Sequence, residues 1–186
     1  MTELTFRKIG NNPEVEAILL QELCRSDGID DAIMSEFPGT IDTYRNQPLE
    51  SATTRIVDRY SQDNSLAVGD IAMRGGRAIG LAYSGIADFQ EVNDSEPTIG
   101  INVSAWLSST YRGRGFGKQI IQHATSRAVE RSGDVYIPSW YEKQVWTSIK
   151  IGNIASRHVC EDIGFSVSGL MHDDPGRYLY FLDRSE

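Results

Sequence analysis

The sequence predicts an α+β domain of three-layer (α/β) type: a mostly antiparallel mixed sheet of six or seven strands, flanked by helices. Two observations carry this. After residue 65, strand-like apolar runs bounded by glycine and proline turns dominate, whereas the stretch before it reads as mostly helical. One strand, helix and strand unit, from VSAWL to VWTSIKI, requires a crossover and hence one parallel pair inside the otherwise antiparallel sheet.

The elements follow in order. LTFRKI is the first strand, and PEVEAILLQEL (Pro13 to Leu23) is a helix with Val15, Ile18, Leu19 and Leu23 on one stripe and a proline in its first turn. Two more short helical pieces fall between Thr40 and Tyr60, their limits blurred by glycine and Pro48. SLAVGDIAM, the turn RGGR and AIGLAYSGI form a hairpin, and IGINVSAWL is the third strand of that run. A glycine loop leads into a helix from Lys118 to about Arg131, with Ile121, Ala124 and Ala128 on one face, small enough to lie close to a sheet. VWTSIKI is the next strand. NIASRHVCEDI is a helix in which Ala155, Val159 and Ile163 recur every four residues, with Gly164 at its C-terminal cap. FSVSGL and RYLYFL, joined through HDDPG, end the sheet as an antiparallel pair.

Composition narrows the function. A chain of 186 residues is expected to form a single domain, 1–186. Its charge, 18 − 26 = −8, disfavours a broad nucleic-acid surface and suits cationic substrates. The start MTELTFRKIGNN lacks the apolar run of a signal peptide and no segment has 18 consecutive apolar residues, so a soluble, cytoplasmic protein with no membrane partner is expected. Cys24 and Cys160 have no metal-ligand spacing, which fits a reducing compartment and no metal.

The stretch YRGRGFGKQII, Tyr111 to Ile121, sets three alternate glycines between a strand and a helix. Glycine loses more chain entropy on folding than any other residue, so three here call for a reason. The ATPase loop GxxxxGK[ST] fails at Arg112 and Gln119, and the dinucleotide fingerprint GxGxxG fails at Lys118. An RNA-binding Arg-Gly segment lacks repetition and basic charge. A loop that aims backbone N–H groups and a helix N-terminus at one anion, a pyrophosphate above all, survives; the plain alternative is a tight turn.

With these residues in place, the sequence resembles the Gcn5-related N-acetyltransferases (GNAT). Their acyl-CoA loop [RQ]xxGx[GA] is matched by Arg112, Gly115 and Gly117, following AWLSSTY where the family has a pattern such as YWLxPxY. A second signature, Asn opening a helix that ends in Gly-Phe, is matched from Asn153 to Phe165, and its N-x-x-S form is similar to the branch of ribosomal-protein N-terminal acetyltransferases. Two departures stand out: Cys160 occupies the place of a frequent acidic tyrosine, and Ser109 replaces the common proline.

The resemblance implies a V-shaped opening between the fourth and fifth strands. Ala105, Trp106 and Leu107 would run beside the pantetheine arm like an added strand, and the Leu107 N–H would face the thioester oxygen. Gly113, Arg114, Gly115, Phe116, Gly117 and Lys118 would surround the pyrophosphate, and Arg112 has the weakest claim to direct contact. Asn153 would contact the arm. The plain readings are wall for Trp106, helix cap for Asn153, solvated charge for Arg112, Arg114 and Lys118, and a small buried hydrophobe for Cys160. His123, His158 and His172 read as surface or packing residues, and Asp173 and Asp174 as turn formers.

The implied reaction is direct attack of a neutral primary amine on acetyl-CoA, with no acyl-enzyme. An amine of pKa ~10.4 is only about 0.04% neutral at pH 7, so a base should help. In related enzymes the base is often a carboxylate from the strands before the glycine loop, and Asp88, Glu91 and Glu96 are the nearest such residues here, each also readable as loop charge. Ser156, at i+3 from Asn153 on one helix face, is the expected donor to the leaving thiolate, with Tyr178 or Tyr180 as the alternative. The expected partners are a small-molecule or peptide amine and, in a homodimer, a second copy. Tyr136, Trp140 and Tyr141, in the segment Ser132 to Gln144, suit a substrate cover or a dimer contact. A non-catalytic acyl-CoA-binding domain and an N-acyltransferase using another acyl-CoA are the competing readings.

Overall fold

A computed structural model describes residues 3–26, 49–61, 67–89, 98–134, 142–172 and 174–183. It contains β1 (Thr5–Lys8), α1 (Pro13–Ser26), α2 (Leu49–Ser61), β2 (Ala67–Arg74), β3 (Arg77–Phe89), β4 (Thr98–Leu107), a 3-10 turn (Ser109–Tyr111), α3 (Phe116–Asp134), β5 (Glu142–Lys150), α4 (Ile154–Asp162), β6 (Phe165–Leu170) and β7 (Arg177–Leu182). The strands form one seven-stranded mixed sheet in the order β1-β2-β3-β4-β5-β7-β6. By contacts the chain clusters into two compact units: residues 1–83 with 104–120, and 84–103 with 121–186.

In the first unit β1 pairs antiparallel with β2, Phe6 opposite Ala72. Gly75 and Gly76 link β2 to β3 with φ of +56° and +81°, the backbone of a two-residue hairpin turn that matches strand twist. Leu20 and Cys24 of α1, Ile56, Val57 and Tyr60 of α2, and Ile71 and Leu81 of the strands close one apolar core. Each such side chain contributes about 2 kcal/mol by leaving water. The α1 stripe is rotated from the expected one. Val15 and Ile18 are exposed, and the inward face is Glu16, Leu20, Leu23 and Cys24. The cause is Glu16, whose side-chain oxygens accept the Gly10 and Asn12 N–H groups at 2.6 and 2.9 Å and so hold that side of the helix inward.

In the second unit β4 and β5 are the parallel pair, in register from Thr98 opposite Glu142 to Asn102 opposite Trp146. No further rung of that ladder follows among the described residues. β5 then pairs antiparallel with β7, and β7 with β6. Arg177 fastens β7 to β5, donating to the Ser148 Oγ and carbonyl at 3.0 and 2.8 Å. The expected small face of α3 is buried at Ile121, Ala124 and Ala128. The α4 stripe differs from the expected one: Ala155 is exposed and Cys160 is the buried residue. Arg157 and Glu161 both reach Tyr180 of β7, so the side that carries Cys160 faces β7. Gly164, at φ +98°, ends α4 as expected. No helix among the described residues is long and apolar enough to cross a membrane.

Candidate active site

The first unit brings Ala105, Trp106, Leu107 and Arg112 to Lys118 onto one strand, turn and helix segment. Its β4 end lies hard against β3. The Ser108 N–H donates to the Ile79 carbonyl at 2.9 Å, and a Cβ on Gly80 would fall 2.5 Å from the Trp106 carbonyl oxygen and 3.4 Å from the Leu107 Cα. Only glycine allows that approach. Gly80 is a site residue that the sequence reading passed over, although an isolated glycine in a strand run is the signal for close backbone approach.

This packing fixes which way the β4 backbone points. Across a trans peptide the C=O of one residue and the N–H of the next face opposite ways. Because the Ser108 N–H is directed to β3, the Leu107 carbonyl faces away from it. The Trp106 carbonyl lies on the β3 side, so the Leu107 N–H also faces away. Trp106 itself is half-buried and packs against the apolar core. Ala105 is exposed.

After the 3-10 turn come two glycines with left-handed backbones, Gly113 at φ +72° and Gly115 at φ +79°. Among the described residues nothing lies within 4 Å of where their Cβ atoms would stand. The reason for glycine at these two positions is thus conformation, and the space in front of them is open to a guest. Gly117 differs. It belongs to α3, which begins at Phe116, two residues before the expected start, and a Cβ there would make an ordinary 3.9 Å contact with Leu107.

The N-terminus of α3 carries no acidic side chain in its first turn, and Gly115 before it has no side-chain oxygen to cap it. Its leading N–H groups and the positive dipole end suit an anion. Phe116 is buried, with the Tyr111 ring edge-on at 6.4 Å and the Arg74 guanidinium 4.8 Å from its ring centroid. Arg112 places its Nε 3.2 Å from the Leu107 carbonyl oxygen. The residues therefore fit a polyphosphate at the loop and a hydrogen-bond acceptor at the Leu107 N–H.

The second unit holds Asn153 and Ser156. Asn153 caps α4, its Oδ1 accepting the Ser156 N–H at 3.2 Å. The cap uses the carbonyl oxygen of the side chain and not its NH₂ group. Among the described residues the Ser156 hydroxyl bonds to no carbonyl of its own helix. Thr53, Thr54, Ser61 and Thr125 each donate to the residue four before them. Tyr180 is fully buried, and its hydroxyl accepts from Arg157 Nε at 3.1 Å and donates to Glu161 Oε1 at 3.3 Å. Burial holds its pKa up, against the lowering effect of Arg157. The Tyr178 ring lies under the Arg157 guanidinium, 4.8 Å away. Burial also pushes the Cys160 thiol up to about 12, which leaves it protonated and unreactive at neutral pH.

The expected base residues Glu91 and Glu96 lie outside the described residues, as do Tyr136, Trp140, Tyr141 and Asp173, and the Asp88 side chain is likewise not described. Asp174 is a turn former, its carboxylate accepting the Gly176 N–H at 3.1 Å. His158 lies 3.6 Å from Glu161 on the α4 surface.

Known proteins share this fold. The chain superposes on an acetyltransferase of the GNAT family from Streptococcus pneumoniae at 16% identity and a TM-score of 0.62, over 96% of this chain and 98% of that one. It superposes on the GNAT domain of S. lividans PAT at 15% identity and a TM-score of 0.62, over 96% and 89%. AAC(6')-Ib, solved in complex with parmomycin and acetyl-CoA, matches at 18% identity and a TM-score of 0.62, over 96% and 92%. No sequence among curated proteins matches significantly. A family model described as an acetyltransferase (GNAT) domain matches residues 4–166, most of the chain, and on that match the chain belongs to the GNAT acetyltransferase family.

Proposed function

We propose that the protein is an N-acetyltransferase that moves an acetyl group from acetyl-CoA to a primary amine by direct attack. The observation that carries this is the Leu107 N–H, held off the β3 side of β4 in the segment that runs into the open glycine loop. Acetyl-CoA supplies an activated thioester; the rest is done by the chain. The backbone N–H groups from Gly113 to Lys118 hold the pyrophosphate, assisted by Arg114 and Lys118. Ala105 and Trp106 lend backbone to the pantetheine arm, and Asn153 meets the arm through its side-chain NH₂ group. The Leu107 N–H donates to the developing oxyanion, a donor worth on the order of 3 kcal/mol.

Ser156 donates a proton to the leaving thiolate, with its hydroxyl bonded to no carbonyl of its own helix among the described residues in support. The acceptor is a small-molecule or peptide amine; AAC(6')-Ib, a fold neighbour, is solved with parmomycin. The Asn153-x-x-Ser156 pattern supports a place near the ribosomal-protein N-terminal branch, and the composition supports a cytoplasmic protein that works as one domain. Thiol release from acetyl-CoA across a panel of polyamines, aminoglycosides, amino acids and peptide N-termini tests the reading. Tight acetyl-CoA binding without thiol release on any amine would leave a binding domain in its place.

A further inference from the structure

Arg112 lies in the loop pattern yet is directed backwards. Its Nε donates to the Leu107 carbonyl at 3.2 Å. The 3-10 turn makes this return possible, closed by Tyr111 N–H to the Ser108 carbonyl at 2.9 Å and Arg112 N–H to the Ser109 carbonyl at 3.2 Å. The carbonyl that Arg112 caps and the N–H proposed as oxyanion donor belong to one residue and leave the same edge of the strand, away from β3. A bare carbonyl on that edge sets partial negative charge where the reaction develops more of it. A guanidinium on that oxygen offsets this and adds a positive charge beside the donor. It also holds the strand end at a point where the parallel ladder has already stopped.

We infer that Arg112 is a positioning residue for acyl transfer, fixing and polarising the Leu107 backbone instead of gripping phosphate. The inference rests on the proposed reading of the Leu107 N–H as the oxyanion donor.

The test uses the full chain with Arg112→Met and Arg112→Gln, the second keeping a donor. Three readouts are taken: the acetyl-CoA dissociation constant by calorimetry, kcat at saturation, and the ¹³C position of bound [1-¹³C]acetyl-CoA. In the Met variant affinity should stay within about 2-fold while kcat falls about 10-fold. Its bound thioester carbon should shift back toward the free position, and Gln should recover part of both losses. Wild-type kcat in the Met variant overturns the inference, as does a tenfold loss of affinity with kcat kept, which would mark a phosphate contact. The carbon signal separates the two readings. If binding does not displace it in the wild type, the Leu107 reading falls and takes this one with it. If it is displaced there and equally in Arg112→Met, only the role of Arg112 falls.

Discussion

The Glu16 carboxylate accepts the Gly10 backbone N–H at 2.6 Å, from a side chain with no exposure to solvent. Its other oxygen takes the Asn12 N–H at 2.9 Å, and Gly10 itself, at φ +107°, could bear no Cβ without meeting Ser61 Cα at 2.8 Å. One buried side chain thus ties the β1–α1 turn in place where it abuts the end of α2. Glu16→Ala strands two backbone donors in a dry site and should cost about 3 kcal/mol, with Glu16→Gln costing less because one acceptor survives. Urea unfolding measures it. A loss below about 0.5 kcal/mol would mean that the turn finds other partners.

Gly115→Val should abolish acetyl-CoA binding while leaving the fold. At φ +79° a β-branched residue is strained, so the loop must redraw its backbone and its N–H groups lose their common aim. Calorimetry together with circular dichroism checks this, and unchanged affinity in a folded variant refutes the anion loop. Gly117→Ala, by contrast, should keep most of its affinity, since a Cβ there meets only Leu107 at 3.9 Å.

Ser156→Ala should lower turnover by roughly 10²-fold with acetyl-CoA affinity little changed. Tyr180→Phe should instead act on stability, because its hydroxyl is occupied on both sides by Arg157 and Glu161. Melting curves and kcat for the two variants decide between them. Full turnover in Ser156→Ala with loss in Tyr178→Phe would hand the proton to the tyrosine.

Cys160 makes a pH prediction. Its folded thiol, at about 12, holds a proton that the unfolded chain releases near the usual value of 9. The stability this contributes is complete below about pH 9 and declines as pH rises toward 12. In a Cys24→Ala background the urea midpoint should therefore fall more steeply above pH 9 than in the Cys24→Ala, Cys160→Ala double variant. Equal slopes would show a thiol that ionises freely.

The features readable in the sequence are those whose chemistry is local. Gly75-Gly76 announces a hairpin because two left-handed residues are what that turn needs, and Asn153 announces a helix start because the cap bond spans three residues. The stripe of α1 was misread for the opposite reason. A buried glutamate is spelled like a solvated one, and only the fold reveals that Gly10 and Asn12 claim Glu16. On α4, Ala155 fitted an apolar period, but Arg157 and Glu161 turned the helix through distant Tyr180. The glycine loop was legible as a turn that leads into a helix N-terminus. That two of its glycines serve φ and the third does not, and that Arg112 reaches back to Leu107, follow from a turn whose path the letters do not specify.

The order of the sheet sets a timetable for biosynthesis. β6 precedes β7 in the chain but reaches β5 only through it, since β7 lies between the two. While the ribosome has made β6 and not yet β7, that strand has no neighbour in the sheet, and Val167 and Leu170 wait on it. Ser148 must likewise wait for Arg177, 29 residues later, before β5 gains its outer partner. A released chain ended just short of Arg177 should be cut readily by protease within 142–170, and one carried through Leu182 should resist. β6 thus gains its neighbour in the sheet only when the last strand has been made.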